Sequence, residues 1–178
     1  MSTQTGNELD QILDQIEKQG GAASSAALGD FVGTIAKQFR LQPDEVAILE
    51  IVPPGYVLRF VVPEKLSTTG SIPLNSSSAQ AARTARSRRF EILNNFSTQP
   101  HATVFEGVPL GRRQEEAIQK LLSGPILRES RVIGVVQLCR KGANPYNAGP
   151  DFGQDDVGRL RQINDVLARF LALARPVA

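Results

Sequence analysis

Leu9, Ile12, Leu13 and Ile16 recur at three- and four-residue spacing between Asn7 and Gln19. This spacing predicts a short amphipathic helix with a narrow apolar stripe. Gly20 and Gly21 end it, and small residues continue to Ala26. A helix this short is marginal alone in water, so its stripe needs a partner: the rest of the chain or a second copy. A stronger helix is expected over Ala27–Arg40, where Leu28, Phe31, Val32, Ile35, Ala36 and Phe39 share a face. Residues 1–26 thus read as a helical extension and flexible linker ahead of one domain over 27–178.

The pattern then changes. Glu45–Val52 and Tyr56–Val62 are rich in Val, Ile, Leu and Phe, as strands are. Pro53-Pro54-Gly55 between them suits a type II turn, so the two predict an antiparallel hairpin. Lys65–Leu74 reads as a loop, and Asn75-Ser76-Ser77-Ser78 offers N-caps for a short Ala-rich helix ending near Ala85. Arg89–Asn94 reads as a strand and Asn95–Pro109 as loop. Arg113–Leu122 reads as a helix with Ala117, Ile118, Leu121 and Leu122 on one side, stopped by Gly124 and Pro125. Pro125–Leu127 and Arg131–Arg140 read as strands around the polar turn Arg128-Glu129-Ser130. The near-continuous apolar run Val132–Leu138 predicts a strand covered on both faces. Asp155–Ala174 reads as one long helix, with Val157, Leu160, Ile163, Val166, Leu167, Phe170 and Leu171 on its apolar face.

Helix, two strands, helix, strand, helix, two strands, helix is the order of an α+β domain with one mainly antiparallel sheet. A chain of 178 residues fits one such domain and buries a core without staples. A net charge of +2 makes no case for nucleic acid or an acidic membrane surface. Cys139 is the only cysteine, which rules out an internal disulfide and a multi-cysteine zinc cluster. No apolar run approaches the roughly 20 residues of a membrane span, and the polar, acidic N-terminus does not read as a signal peptide. These features lead us to expect a cytoplasmic protein.

The second half resembles the GAF family. Gly70-Ser71-Ile72-Pro73-Leu74-Asn75-Ser76-Ser77 is similar to the loop leading into that family's first pocket helix, and Arg89-Phe90-Glu91-Ile92-Leu93-Asn94 to the strand after it. Pro125-Ile126-Leu127 through Val132–Leu138 is similar to the closing hairpin. Phe152 with Asp155 and Asp156, then Leu160 and Ile163, is similar to the start of the C-terminal helix. The resemblance spans about Leu28–Leu173. It implies a GAF/PAS-like sheet with terminal helices on one face and pocket-forming short helices and loops on the other. Family members bind cyclic nucleotides, bilins, haem, small anions or amino-acid-like ligands, and some bind none.

Each branch makes its own demand. Cyclic-nucleotide members resemble one another in an Asn-Lys, Phe, Asp-Glu pattern; here Lys141, Phe152 and Asp155 match while Arg140 and Asp156 depart from it. The resemblance gives Lys141, Phe152 and Asp155 structural roles, a Lys–Asp tie and an aromatic anchor. Cys139, in a strand and far from the sole histidine His101, lacks the setting of a bilin attachment site, and a lone loop histidine is a poor haem or metal ligand. No covalent bilin, haem or metal is therefore expected, and any other cofactor stays unknown. The methionine-sulfoxide-reducing branch needs several cysteines, and this chain has one. Arg83, Arg86, Arg88 and Arg89 cluster at the end of the first pocket helix, where they either reach an anionic ligand or face solvent.

The expectation is a non-enzymatic sensory domain. A small molecule would enter a pocket formed by Ser71–Ala85, Asn94–Glu106 and the helix Arg113–Leu122. Ser71, Arg83, Asn94, Asn95, Glu106 and Gln137 are the candidate ligand-binding residues. The signal would pass through the terminal helices of a homodimer joined by Leu9, Ile12, Leu13 and Ile16, or to a protein effector. The alternatives are a ligand-free GAF-fold dimerisation or interaction module and a cyclic-nucleotide-binding domain. Nucleic acid and membrane are not expected as partners.

Overall fold

A computed structural model describes residues 2–20, 24–53, 56–68, 70–98 and 117–174. Helices α1 (Ser2–Lys18) and α2 (Ser25–Gln38) precede strands β1 (Val46–Val52), β2 (Val57–Val62) and β3 (Ser71–Pro73). Helix α3 (Gln80–Ser87) and strand β4 (Glu91–Leu93) follow. Strands β5 (Ala117–Arg128) and β6 (Arg131–Gly142) form the longest hairpin, and α4 (Gln154–Gln162) and α5 (Asn164–Ala174) close the described chain. The strands form one sheet in the order β3-β2-β1-β6-β5-β4, with every neighbouring pair antiparallel. This is the expected α+β architecture.

The apolar run of β6 lies at the centre of that sheet because it has residues to bury on both faces. Val136 and Leu138 join the core beneath α1, α2, α4 and α5, while Val135 and Cys139 join a second core with α3. Gly134 is where the first layer comes closest. A Cβ there would lie 2.3 Å from the Leu49 carbonyl oxygen and 2.6 Å from Leu171 Cδ1. The glycine thus lets α5 seat against the strand. Phe31 and Ile163 lie in the same core, on one side of the sheet.

Two expected helices are corrected. Residues 117–122, read as part of a helix over Arg113–Leu122, are the first half of strand β5; residues 113–116 lie outside the described ones. Ile118, Leu121 and Leu122 imitate helical spacing because β5 is buried on both faces. Leu121 packs toward α3 and Leu122 toward the terminal helices. Gly124 and Pro125 do not stop a helix. They lie inside β5 just past Leu121–Ser123, the stretch that pairs with β4, where the strand becomes an edge that tolerates proline.

The long C-terminal helix is broken at Ile163 into α4 and α5. Asn164 begins α5 by donating from Nδ2 to the Leu127 carbonyl at 2.9 Å and accepting from the Leu127 amide through Oδ1 at 2.9 Å. One side-chain amide takes the place of a neighbouring strand on the β5 edge.

Helix α1 is continuous with the main core. Leu9, Leu13 and Ile16 are buried there, and Ile12 packs partly buried against it. Each fully buried aliphatic side chain contributes about 1.5–3 kcal/mol. A second tie is electrostatic. Arg169 on α5 reaches Asp10 at 3.2 Å, Asp14 at 2.6 Å and Glu17 at 3.0 Å on α1. Hydrogen bonds to Glu17 and Asp14 raise the Arg169 pKa above its ordinary value. The stripe expected to join two copies is thus taken up within one chain.

The β1–β2 hairpin forms as expected, although Pro54 and Gly55 of its turn lie outside the described residues. The expected loop before α3 includes a strand, β3, paired with β2.

Candidate functional site

The face of the sheet opposite the terminal helices carries α3. Its inward positions Ala81, Ala82 and Ala85 are small, so the helix lies close on β5 and β6. Close approach brings three polar side chains together inside an apolar layer. Thr84 Oγ1 lies 2.7 Å from Ser123 Oγ, and Gln137 Nε2 donates to the same Ser123 Oγ at 3.2 Å. Ser123 and Gln137 face each other across the β5–β6 ladder. Thr84 and Ser123 are fully buried and Gln137 nearly so. The apolar core on this face includes Leu49, Leu58, Phe60, Leu121, Val135 and Cys139. Buried polar groups in such a layer must be paired, and this cluster pairs them through one shared hydroxyl.

Of the expected ligand-binding residues, Gln137 is on this face. Ser71 is exposed on the edge strand β3. Arg83 points outward and pairs with Glu91 at 3.2 Å. Asn94 is engaged elsewhere: Nδ2 donates to the Phe152 carbonyl at 3.1 Å, and Oδ1 accepts from the Phe152 amide at 2.9 Å. Asn95 is exposed. Glu106 and His101 lie outside the described residues. The described ones among these side chains are therefore spread over the domain, and Ser123 and Thr84 are the partners that the sequence reading missed. The hairpin turn held the missing signal, because its register sets Ser123 opposite Gln137.

The other arginines of the basic cluster are mostly ties. Arg86 donates to the carbonyls of Leu74 and Ser76, holding the loop before α3. Arg88 donates to the Ser130 carbonyl in the β5–β6 turn.

The start of the C-terminal helices is held by a buried seam. Phe152 is buried, and the Arg140 guanidinium lies over its ring at 4.6 Å from the ring centre. Arg140 Nη2 and Nη1 donate to the carbonyls of Phe39 and Arg40 at the C-terminal end of α2, at 3.1 and 3.3 Å. A cation suits that end of a helix. Burial lowers the Arg140 pKa, with Asp156 and Glu45 opposing the shift. Lys141 donates from Nζ to the Asp44 carbonyl at 3.4 Å and from its amide to Glu45 Oε2 at 2.7 Å. Asp155 is exposed, and the neighbouring Asp156 caps α4 through the Gly153 amide at 2.9 Å. Lys120 on β5 pairs with Asp151 in the loop before α4 at 2.8 Å.

No helix among the described residues is long and apolar enough to cross a membrane. Among the described residues no group of His, Cys, Asp and Glu is arranged to hold a metal ion.

No family model matches the chain, and no curated protein matches it. Solved structures do. The chain is similar to the GAF domain of an Acinetobacter phosphoenolpyruvate-protein phosphotransferase, with 16% identity over 97% of this chain and 96% of that one and a TM-score of 0.64. It is similar to the A. aeolicus nlh2 GAF domain in an inactive state, with 14% identity, 98% and 97% coverage and a TM-score of 0.57. It is also similar to a free methionine-R-sulfoxide reductase from Neisseria meningitidis in complex with its substrate, with 15% identity, 94% and 91% coverage and a TM-score of 0.56. The chain has the GAF fold. Identities this low establish the architecture and leave the site to be argued from its own residues.

Proposed function

We propose that this chain is a cytoplasmic regulatory domain that binds a small molecule against the α3 face of its sheet and signals through its terminal helices. The observation that supports the reading is the buried Thr84–Ser123–Gln137 cluster. It joins α3 to the β5–β6 hairpin, and the same two strands present Leu122, Val136 and Leu138 to the terminal helices on the opposite face. A ligand with a polar head competing for the Ser123 hydroxyl would change how α3 sits on the hairpin. Its differential affinity for the two arrangements would set the packing of the helices one strand-thickness away.

The role we propose is binding without catalysis. Cys139 is fully buried in β6 and is the sole cysteine of the chain, so a thiol-based reduction would have no second thiol to close an internal disulfide. A homodimer or a protein effector would carry the output. The dimer contact we propose excludes Leu9, Leu13 and Ile16, which are core residues here.

Native mass spectrometry of freshly purified protein tests the proposal. A retained small mass, lost on denaturation and absent from a Gln137→Leu variant that keeps its fold, is the expected result. A bare chain, with no thermal shift across a panel of common metabolites, overturns it.

A second reading is a ligand-free interaction module. It is favoured by the protein partners that Thr84, Ser123, Gln137, Asn94 and Arg83 already have. That reading expects the bare chain, together with a stable dimer or a captured effector. A cyclic nucleotide is the less favoured ligand, because Arg140 and Asp156 depart from the pattern that cyclic-nucleotide members share.

A further inference from the structure

A cleft of about 570 Å³ opens on the other side of the domain, where the outer edge of β5 meets the junction of α4 and α5. We propose that it binds a small organic anion, a carboxylate or phosphate carried on an apolar body. The volume lies in the range of small-molecule sites. Three arginines line it, Arg88 and Arg89 after α3 and Arg161 on α4. All three residues are exposed, and among the described residues neither Arg89 nor Arg161 has a carboxylate partner. Asp165, beside the lining residue Asn164, accepts from Asn164 Nδ2 at 3.4 Å. Like charges gathered in a concave site raise the local concentration of counter-anions, and guanidinium forks match carboxylate and phosphate oxygens.

The walls give the ligand its second half. Phe90, Pro125 and Leu127 line the cleft, and the Arg161 guanidinium lies over the Phe90 ring at 5.1 Å from its centre. That ring needs Gly124 beneath it, since a Cβ there would sit 2.4 Å from Phe90 Cε1. The cationic rim is also fixed. Arg88 adopts a left-handed conformation, φ 59° and ψ 31°, at the end of α3, where glycine is usual. It is anchored by its bond to the Ser130 carbonyl.

The geometry also argues against an added strand as occupant. Pro125 has no amide hydrogen, and both backbone groups of Leu127 are taken by Asn164. The edge therefore offers little to a peptide backbone, whereas Arg89, Arg161 and the apolar walls stay available.

Amide-resolved NMR titration of the full chain with phenyl phosphate tests the proposal, with inorganic phosphate and benzyl alcohol as the two halves of the probe. We expect saturable shifts at Arg89, Phe90 and Leu127 with phenyl phosphate, and weaker ones with either half. Arg89→Ala and Arg161→Ala each weaken binding about tenfold, the loss of one charge-assisted contact. Both arginines are exposed, so these variants fold. Gln137→Leu leaves the titration unchanged, which separates this site from the α3 face. No saturable shift at millimolar probe overturns the proposal. So does inorganic phosphate binding as tightly as phenyl phosphate, or binding by an acidic peptide alone.

Discussion

The ring of Phe31 on α2 lies flat against that of Phe170 on α5, with centres 4.4 Å apart and planes 5° from parallel. Both are fully buried and lie at the centre of the helical layer. Phe170→Ala removes this contact and leaves a cavity, which costs about 3–5 kcal/mol. Urea denaturation should show the midpoint falling with little change in slope. A loss below about 1 kcal/mol would mean that the two helices do not depend on each other.

Gly134→Ala should be among the most damaging single-methyl additions in the chain. The new Cβ meets a backbone oxygen of β1 at 2.3 Å, and that atom belongs to a central strand and has little room to retreat. Overpacking of this kind costs about 1–3 kcal/mol, and more where backbone must shift. The check is the thermal midpoint of the purified variant; an unchanged midpoint would contradict the close seating of α5.

Asn164→Ala strips the β5 edge of its cover. Two hydrogen bonds to Leu127 go, at about 1 kcal/mol each. Hydrogen exchange should report it locally, with the Leu127 amide losing protection while β6 amides keep theirs. Asn164→Asp keeps the acceptor and loses the donor, and should fall between the wild type and Ala.

Arg169→Gln should loosen α1 alone. Three half-exposed carboxylates share that guanidinium, and a solvated network of this kind is worth about 1 kcal/mol and weakens with salt. Limited proteolysis within α1 should quicken in the variant at low ionic strength and match the wild type at high ionic strength. Equal rates at both would show that the apolar stripe holds the helix unaided.

The two faces of β6 were legible because a strand buried on both sides must be apolar throughout. Helix α2 was legible because its apolar positions Leu28, Phe31, Val32, Ile35 and Ala36 lie over one core. The same double burial hid β5: Ile118, Leu121 and Leu122 obey helical spacing, and Gly124-Pro125 imitates a helix stop. The break at Ile163 was invisible because the apolar stripe runs through it, and the cause is a side-chain bond from Asn164 to a strand 37 residues away. The candidate sites were harder to read. Gln137 stood out as a polar interruption, but its partner depended on hairpin register. Arg161 joins Arg88 and Arg89 only after the sheet and the helices meet. Arg140, read as a departure from the family pattern, proves to seal the end of α2, a role that spacing along the chain does not reveal.

The burial of Leu9, Leu13 and Ile16 sets a kinetic condition on any assembly that uses them. The stripe reaches a second chain only after α1 has left its own core, so two copies joined this way would have exchanged helices. The rate of such pairing is governed by the opening of one molecule rather than by encounters between two. It rises steeply with temperature, hardly responds to dilution at early times, and leaves long-lived pairs once protein stored concentrated is diluted.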